Sequence, residues 1–341
     1  MGKHSTNKSK LNHDQKTLFV AAICLGSAGW AIELFPTSSQ AETRLVTQQP
    51  AGDTSGVSAP SKSPQVQLLN PGSAPQQQLR LKPSLGVKKT TNMAVKMEMG
   101  AATADKSMNA IKVPTMVLTI DTKATKIDSN GDIHYEFSYA NADIAGDTPN
   151  LPTAALDAMR STVKKLVGLK GSFIMDSRGA HKGGDFILPE GTDNNFKQMV
   201  QNMSKSLEQL SSPLPLEAVG QGAKWRISSS SNLSGMNVNQ IATYELISLQ
   251  DGVATLKTSV EQQANPQNLT SPQLPPGATL SLKSFVSQGG GEVIMRLDRL
   301  MPVRSVISIN SQTEMGVKNA GNPEEVTIKT KMLMEMTLDS K

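Results

Sequence analysis

From about Leu79 onward, apolar and polar residues change places every second position. Met93, Val95, Met97 and Met99 alternate with Ala94, Lys96 and Glu98. Ile133, Tyr135, Phe137 and Tyr139 alternate with His134, Glu136 and Ser138. Met332, Met334, Met336 and Leu338 alternate with Lys331, Leu333, Glu335 and Thr337. A period of two puts one set of side chains on one face of a strand, so these runs predict strands with one buried face. Turn residues lie between the runs. Ser129-Asn130-Gly131-Asp132 predicts a hairpin joining 117–127 to 133–139, and Gln250-Asp251-Gly252 predicts one joining 242–249 to 253–260. Glycine accepts the positive φ that such turns need. By the same reasoning Gln288-Gly289-Gly290-Gly291 predicts a turn between 280–286 and 292–297, and Gly183-Gly184 lies in the tip of a hairpin formed by 172–177 and 185–188.

Two segments change period. Leu156, Met159, Val163 and Leu166 recur at helical spacing after Pro152 and before Gly168. Phe196, Met199, Val200, Met203, Leu207 and Leu210 do the same, with Thr192 or Asp193 to cap the start and Pro213 to stop the continuation. Each helix has one apolar stripe to bury, and the sheet is the surface available. The expected fold is α+β: a large, curved, half-barrel-like antiparallel sheet with two helices packed on one face, in a single domain over residues 79–341. A curved sheet under helices can enclose an apolar space.

The N-terminal region changes the picture of compartment. Lys3, Lys8, Lys10 and Lys16 precede an uncharged apolar run of about 16 residues from Thr17 to Ile32, and Ser39-Gln40-Ala41 offers small residues around a cut. This order reads as a secretory signal peptide over residues 1–41. A spanning helix wants roughly 20 apolar residues; an uncleaved anchor is the alternative reading. The protein is expected to be secreted or periplasmic, with membrane contact only through this segment if it stays. Residues 42–78 are dense in Pro, Ser, Gly and Gln and predict a disordered linker. Cys24, the single cysteine, lies in the apolar run, so a chain cut after Ala41 has no disulfide and no thiolate.

The net charge is +5, of which the first 41 residues carry +2. The remainder is spread along the chain, and aromatics are only 4%. Nucleic-acid binding wants clustered Lys and Arg, and that class is set aside.

Candidate chemistry is sparse. Asp128, Asn130 and Asp132 open like a calcium loop, but Ile133 and Tyr139 stand where such a loop needs glycine and glutamate. His134 faces away from the aromatic side of its strand and reads as exposed and idle, and His181 falls in the glycine-rich tip. Ser228–Ser231 lacks the surroundings of a hydrolase nucleophile. No cofactor and no enzymatic activity are expected. The seventeen methionines are the unusual feature of the composition. Met-x-Met in an exported protein invites a Cu(I) reading, because thioethers are soft donors. The alternation instead assigns these residues to a core short of aromatics. Flexible thioether walls also suit varied apolar guests. Met93, Met97, Met99, Met159, Met199, Met203, Met332, Met334 and Met336 are therefore the candidate lining for a lipid, an acyl chain or another hydrophobic small molecule. A cell-envelope protein is the alternative partner, engaged by a domain with a filled core.

The stretch from Leu214 to Trp225 contains Pro215, Val219, Gly222 and Trp225 in a Pro-x-x-x-Val-x-x-Gly-x-x-Trp phrase. It resembles a phrase that opens a strand after a helix in an uncharacterised family of secreted bacterial β-rich proteins, a domain of unknown function. Tyr244-Glu245-Leu246 before the Asp251-Gly252 turn, and Asp298–Val303 with Pro302, are similar too. The layout is also similar to the half-barrels of periplasmic lipoprotein carriers and mycobacterial lipid-binding lipoproteins. The resemblance implies an exported β-rich domain and assigns no functional residues.

Overall fold

The computed structural model describes residues 64–103, 110–146, 151–188, 190–209, 213–233, 235–269, 277–319 and 324–341. The proposed signal segment, Cys24 and most of the proposed linker lie outside the described residues. Both Asn-Gly and Asp-Gly turns form as the chain predicts. Strand β4 (Ile111–Ile127) and β5 (Ile133–Ala145) pair antiparallel across the first. Strand β10 (Met236–Gln250) and β11 (Val253–Ala264) pair across the second, where Asp251 and Gly252 take φ of 48° and 73°. Two consecutive positive φ values are what a tight hairpin turn matching the strand twist requires.

The other strands are β1 (Gln65–Asn70), β2 (Gln77–Gln78), β3 (Lys88–Ala102), β6 (Lys170–Met175), β7 (His181–Ile187), β8 (Ala218–Val219), β9 (Lys224–Leu233), β12 (Gln267–Leu269), β13 (Thr279–Arg296), β14 (Arg304–Lys318) and β15 (Glu325–Ser340). Thirteen of the strands form one antiparallel sheet in the order β1-β9-β10-β11-β13-β14-β15-β3-β4-β5-β6-β7, with β12 beside β13. Strands β2 and β8 make a separate two-stranded ribbon. The helices are α1 (Thr153–Lys164) and α2 (Asn194–Gln209). Strands dominate the described residues, so the fold is mostly β rather than α+β, built on a large antiparallel sheet that does not close.

Three expectations are corrected. Gly289, Gly290 and Gly291 are not a turn. They lie inside the 18-residue strand β13 and pair with β11 on one side and β14 on the other. A Cβ on Gly291 would stand 1.8 Å from the Val306 carbonyl oxygen, and one on Gly290 would stand 2.5 Å from that of Thr258. Glycine lets neighbouring backbone approach here. Gly183 and Gly184 are likewise in strand β7, because the β6–β7 turn is tighter and falls at Asp176–Ala180, where the Ala180 carbonyl accepts from Asp176 N–H at 2.9 Å. Finally, the region expected as disordered linker contains β1 and β2. Val66 and Leu68 stand opposite Ile227 and Trp225 on β9 and pack on the core there. Two well-placed apolar residues outweigh a Gln- and Pro-rich average composition.

The helices occupy their expected segments. Asp193 caps α2: its Oδ1 accepts the backbone N–H of Phe196 at 2.9 Å. Removing that acceptor in Asp193→Ala is expected to cost about 1 kcal/mol. A lower urea midpoint with faster exchange of the Phe196 amide, both restored in Asp193→Asn, checks this. Phe196, Met199 and Val200 of α2 join Met159 and Val163 of α1 over β4–β7, where Leu118, Ile120, Ile144 and Phe173 complete one core cluster.

Helix α2 touches both β7 and β9. Strand β7 is one edge of the sheet order and β9 lies next to β1 at the other edge, so the sheet curls across its width and α2 bridges the gap. Extended chain ties the same ends together. Leu81 N–H donates to Ser177 O at the β6–β7 turn, Lys82 N–H donates to Leu297 O beyond β13, and Leu214 N–H donates to Arg178 O. Leu79 is buried beside Trp225 and Leu246, and Leu81 beside Ala124 and Ile133.

Candidate functional site: the methionine face

Directly opposed residues in an antiparallel ladder share a face, so the register traces the inner surface across the sheet. One row runs Leu246–Leu256–Val293–Ser305–Leu338–Met93–Leu118–Ala142. The next runs Trp225–Tyr244–Thr258–Gly291–Ile307–Met336–Val95–Met116–Ile144. A third brings Ile309, Met334, Met97 and Val113 into line, and a fourth Ser311, Met332, Met99 and Ile111. The inner face is small where β11, β13 and β14 meet, with buried Thr258, Ser287, Ser305 and Ser311 beside the glycines, and bulky on β15, β3 and β4. Alternating small and large residues lets a curling sheet fill its interior.

The nine candidate methionines do not form one lining. Met159 and Met199 are buried under the helices, and Met93 packs against that cluster. Met97 is buried in a separate cluster with Val95, Val113, Met332 and Met334 around it. Met99 and Met336 are half-buried on the same face, opposite Met332 and Val95. The Met203 side chain lies outside the described residues. The reading from alternation missed Met116, which stands opposite Val95 on the same face and packs on the helix cluster. The ladder irregularity between Val95 and Met97 interrupts the regular period just there, beside Pro114. Proline has no N–H to donate, and such an irregularity accommodates it.

Two recesses lie elsewhere. One is an open groove of about 560 Å³ with mixed walls, including Pro266, Gln267, Asn268, Leu282, Lys283 and Glu325. The other, of about 10 Å³, lies among Pro83, Val87, Thr122 and Leu300. None of the nine methionines lines either.

The polar candidates are consumed internally. His134 is half-buried, with Nε2 at 2.6 Å from Asp128 Oδ2, so it is not idle. Lys126 Nζ lies 2.7 Å from the other Asp128 oxygen. Hydrogen bonding from Lys126, then from His134, holds the Asp128 carboxyl below its ordinary range. Lys182 Nζ, 2.5 Å from Asp132, does the same for that carboxyl. These carboxylates already have cations, and the positions a calcium loop would need are the buried Ile133 and Tyr139. Among the described residues, no group of three or more His, Cys, Asp or Glu could hold a metal ion. His181 packs against Phe173, ring centres 6.0 Å apart, in the aromatic cluster of β5–β7. Ser228–Ser231 is a stretch of β9 paired with β10, and Ser230 Oγ donates to Asn239 Oδ1 at 2.7 Å.

Burial pushes the Tyr135 phenol up to about 12 and raises Tyr139 further. An unfolded chain releases these protons from about pH 10. A raised folded value means the stabilisation is fully present below about pH 10 and is lost as pH rises through about 12. The phenolate band of these two residues is expected to appear together with loss of the near-ultraviolet dichroism. Their ionisation near pH 10 with tertiary signals intact would contradict the burial.

No protein-family model matches the chain, and no curated protein matches it. Among solved structures it is similar to the OmpT outer membrane protein of Vibrio cholerae, with 6% identity over 73% of this chain and 99% of that one, at a TM-score of 0.16. It is similar to the outer membrane protease OmpT of Escherichia coli at 9% identity over 74% and 94%, TM-score 0.18. Pseudomonas aeruginosa OccK2 in complex with glucuronate gives 7% over 78% and 98%, TM-score 0.18. These are likenesses between strand-rich chains, and such low scores say nothing of this chain's activity or place in the cell. No helix among the described residues is long and apolar enough to cross a membrane.

Proposed function

We propose that this chain is an exported, non-enzymatic envelope protein whose curled sheet is a structural and protein-interaction domain with a filled core, presented on its N-terminal segment. The signal-like order of residues 1–41 supports export. The resemblance of the Pro215–Trp225 phrase to an uncharacterised secreted family belongs to the same reading. The observation that supports it is the packing of the inner face: residues of its rows fall in three clusters of apolar side chains, and the two recesses described above lie away from the methionines. A second reading, a binder of lipid or acyl chain, is favoured by one observation: Met99, Met332, Met334 and Met336 stay half-buried on an apolar face.

Purified full-length protein should carry no lipid in native mass spectrometry. After delipidation it should take up no fluorescent fatty acid. Stoichiometric uptake, lost on substituting Met334 or Met336 by a charged residue, would overturn the filled-core reading in favour of the lipid one.

A further inference from the structure

We propose that Met97, Met332 and Met334 form a binding site for a soft monovalent cation, Cu(I). Alternation within single strands gives Met97-x-Met99 on β3 and Met332-x-Met334-x-Met336 on β15, and these read as core. The β15–β3 register adds what alternation lacks. Met334 stands directly opposite Met97, Met332 stands opposite Met99, and Met332 and Met334 both pack against Met97. Opposed Cβ atoms in an antiparallel ladder are about 5 Å apart. Methionine has three rotatable bonds beyond Cα, so three sulfurs on such a patch can converge on one ion. Met99 supplies a fourth thioether beside them.

The chemistry of the patch selects the ion. Thioether sulfur is a neutral, soft donor that suits Cu(I), whereas hard cations want carboxylate, carbonyl or water oxygens. Val95, Val113 and Ile309 make the surroundings aliphatic. Met97 is buried at 7% exposure, while Met332 and Met334 are partly exposed and leave a route to the sulfurs. An ion bound by three thioethers needs no cavity, so the site is independent of whether the fold holds a lipid. His134 is engaged by Asp128, and His181 packs in the aromatic cluster, so the thioethers are the soft donors grouped together among the described residues.

The full chain carrying Cys24→Ser, titrated with Cu(I) against a colorimetric Cu(I) chelator, tests the site. One equivalent should be retained, and the methyl resonances of Met97, Met332 and Met334 should shift. Met97→Leu and Met334→Leu, close in volume to the native residues, should each weaken retention by about tenfold or more. Met159→Leu, under α1, should leave it unchanged. A thioether has no proton to lose, so retention should persist from about pH 8 to about pH 5, unlike that of a thiolate or imidazole site. Retention of no Cu(I) by the Cys24→Ser chain overturns the proposal, as does equal retention by both leucine variants. If Met97→Leu fails to fold, Met332→Leu and the methyl shifts of the Cys24→Ser chain decide.

Discussion

Replacing Trp225 by alanine is expected to lower the unfolding free energy by about 3–5 kcal/mol, the range for emptying a buried tryptophan site. Trp225 is 1% exposed and is the largest fully buried side chain. Its ring stacks on Tyr244, with centroids 5.6 Å apart and planes 14° from parallel. On its other side it stands opposite Leu68 of the edge strand β1. Leu79, Val219 and Leu246 share the cluster, and they come from the extended chain, the β2–β8 ribbon and β10. Truncation therefore opens a cavity where four separate parts of the chain meet, and no single strand can shift to fill it. Urea unfolding followed by circular dichroism should show a lower midpoint with an unchanged slope. Tryptophan to phenylalanine should cost less, because an aromatic partner for Tyr244 remains. A Trp225→Ala chain that unfolds at the wild-type midpoint would remove this residue from the account of the core.

Substituting Gly291 by alanine is expected to destabilise the protein by about 3 kcal/mol, at the upper end for a single substitution. The added methyl would stand 1.8 Å from Val306 O, so β14 would have to move away from β13. That pairing runs from Thr279↔Lys318 to Ile294↔Arg304, and a local shift strains bonds on both sides. The effect should reach beyond the ladder. A sheet that curls less at β13 separates its ends, and α2 depends on touching β7 and β9 together. Hydrogen exchange should speed up at the β13–β14 amides and also at α2. Exchange and stability equal to wild type would mean that the glycine stripe is not needed for the curl.

Several elements were legible in the residues themselves. The alternation of Ile133–Tyr139 and of Met332–Leu338 places one face of β5 and β15 inward, and Asn130-Gly131 and Asp251-Gly252 turn where their φ preferences direct. Asp193 caps α2 because a carboxylate before the first turn meets an unpaired N–H. Where the reading failed, the local signal was absent or shared. Glycine has no side chain to show a face, so Gly289–Gly291 looks the same in a turn and in a strand whose neighbours press close. Val66 and Leu68 are two apolar residues in a polar tract, and only Ile227 and Trp225 opposite them give them a core to join. His134 and Asp128 are six residues apart, and their contact exists because the hairpin folds them together. Met116 was hidden by the irregular pairing beside Pro114.

What the chain determined by itself is the kind of element at most positions: long half-buried strands, two amphipathic helices and the tight turns between neighbouring strands. These follow from steric preferences and polarity within a few residues of each other. What the tertiary structure decided is which strands are neighbours, above all the pairing of β15 with β3, which joins the two halves of the sheet and sets Met334 against Met97. Backbone hydrogen bonds are the same for every sequence. The choice among possible partners is therefore made by the apolar surface that the whole arrangement buries, and that quantity has no local trace.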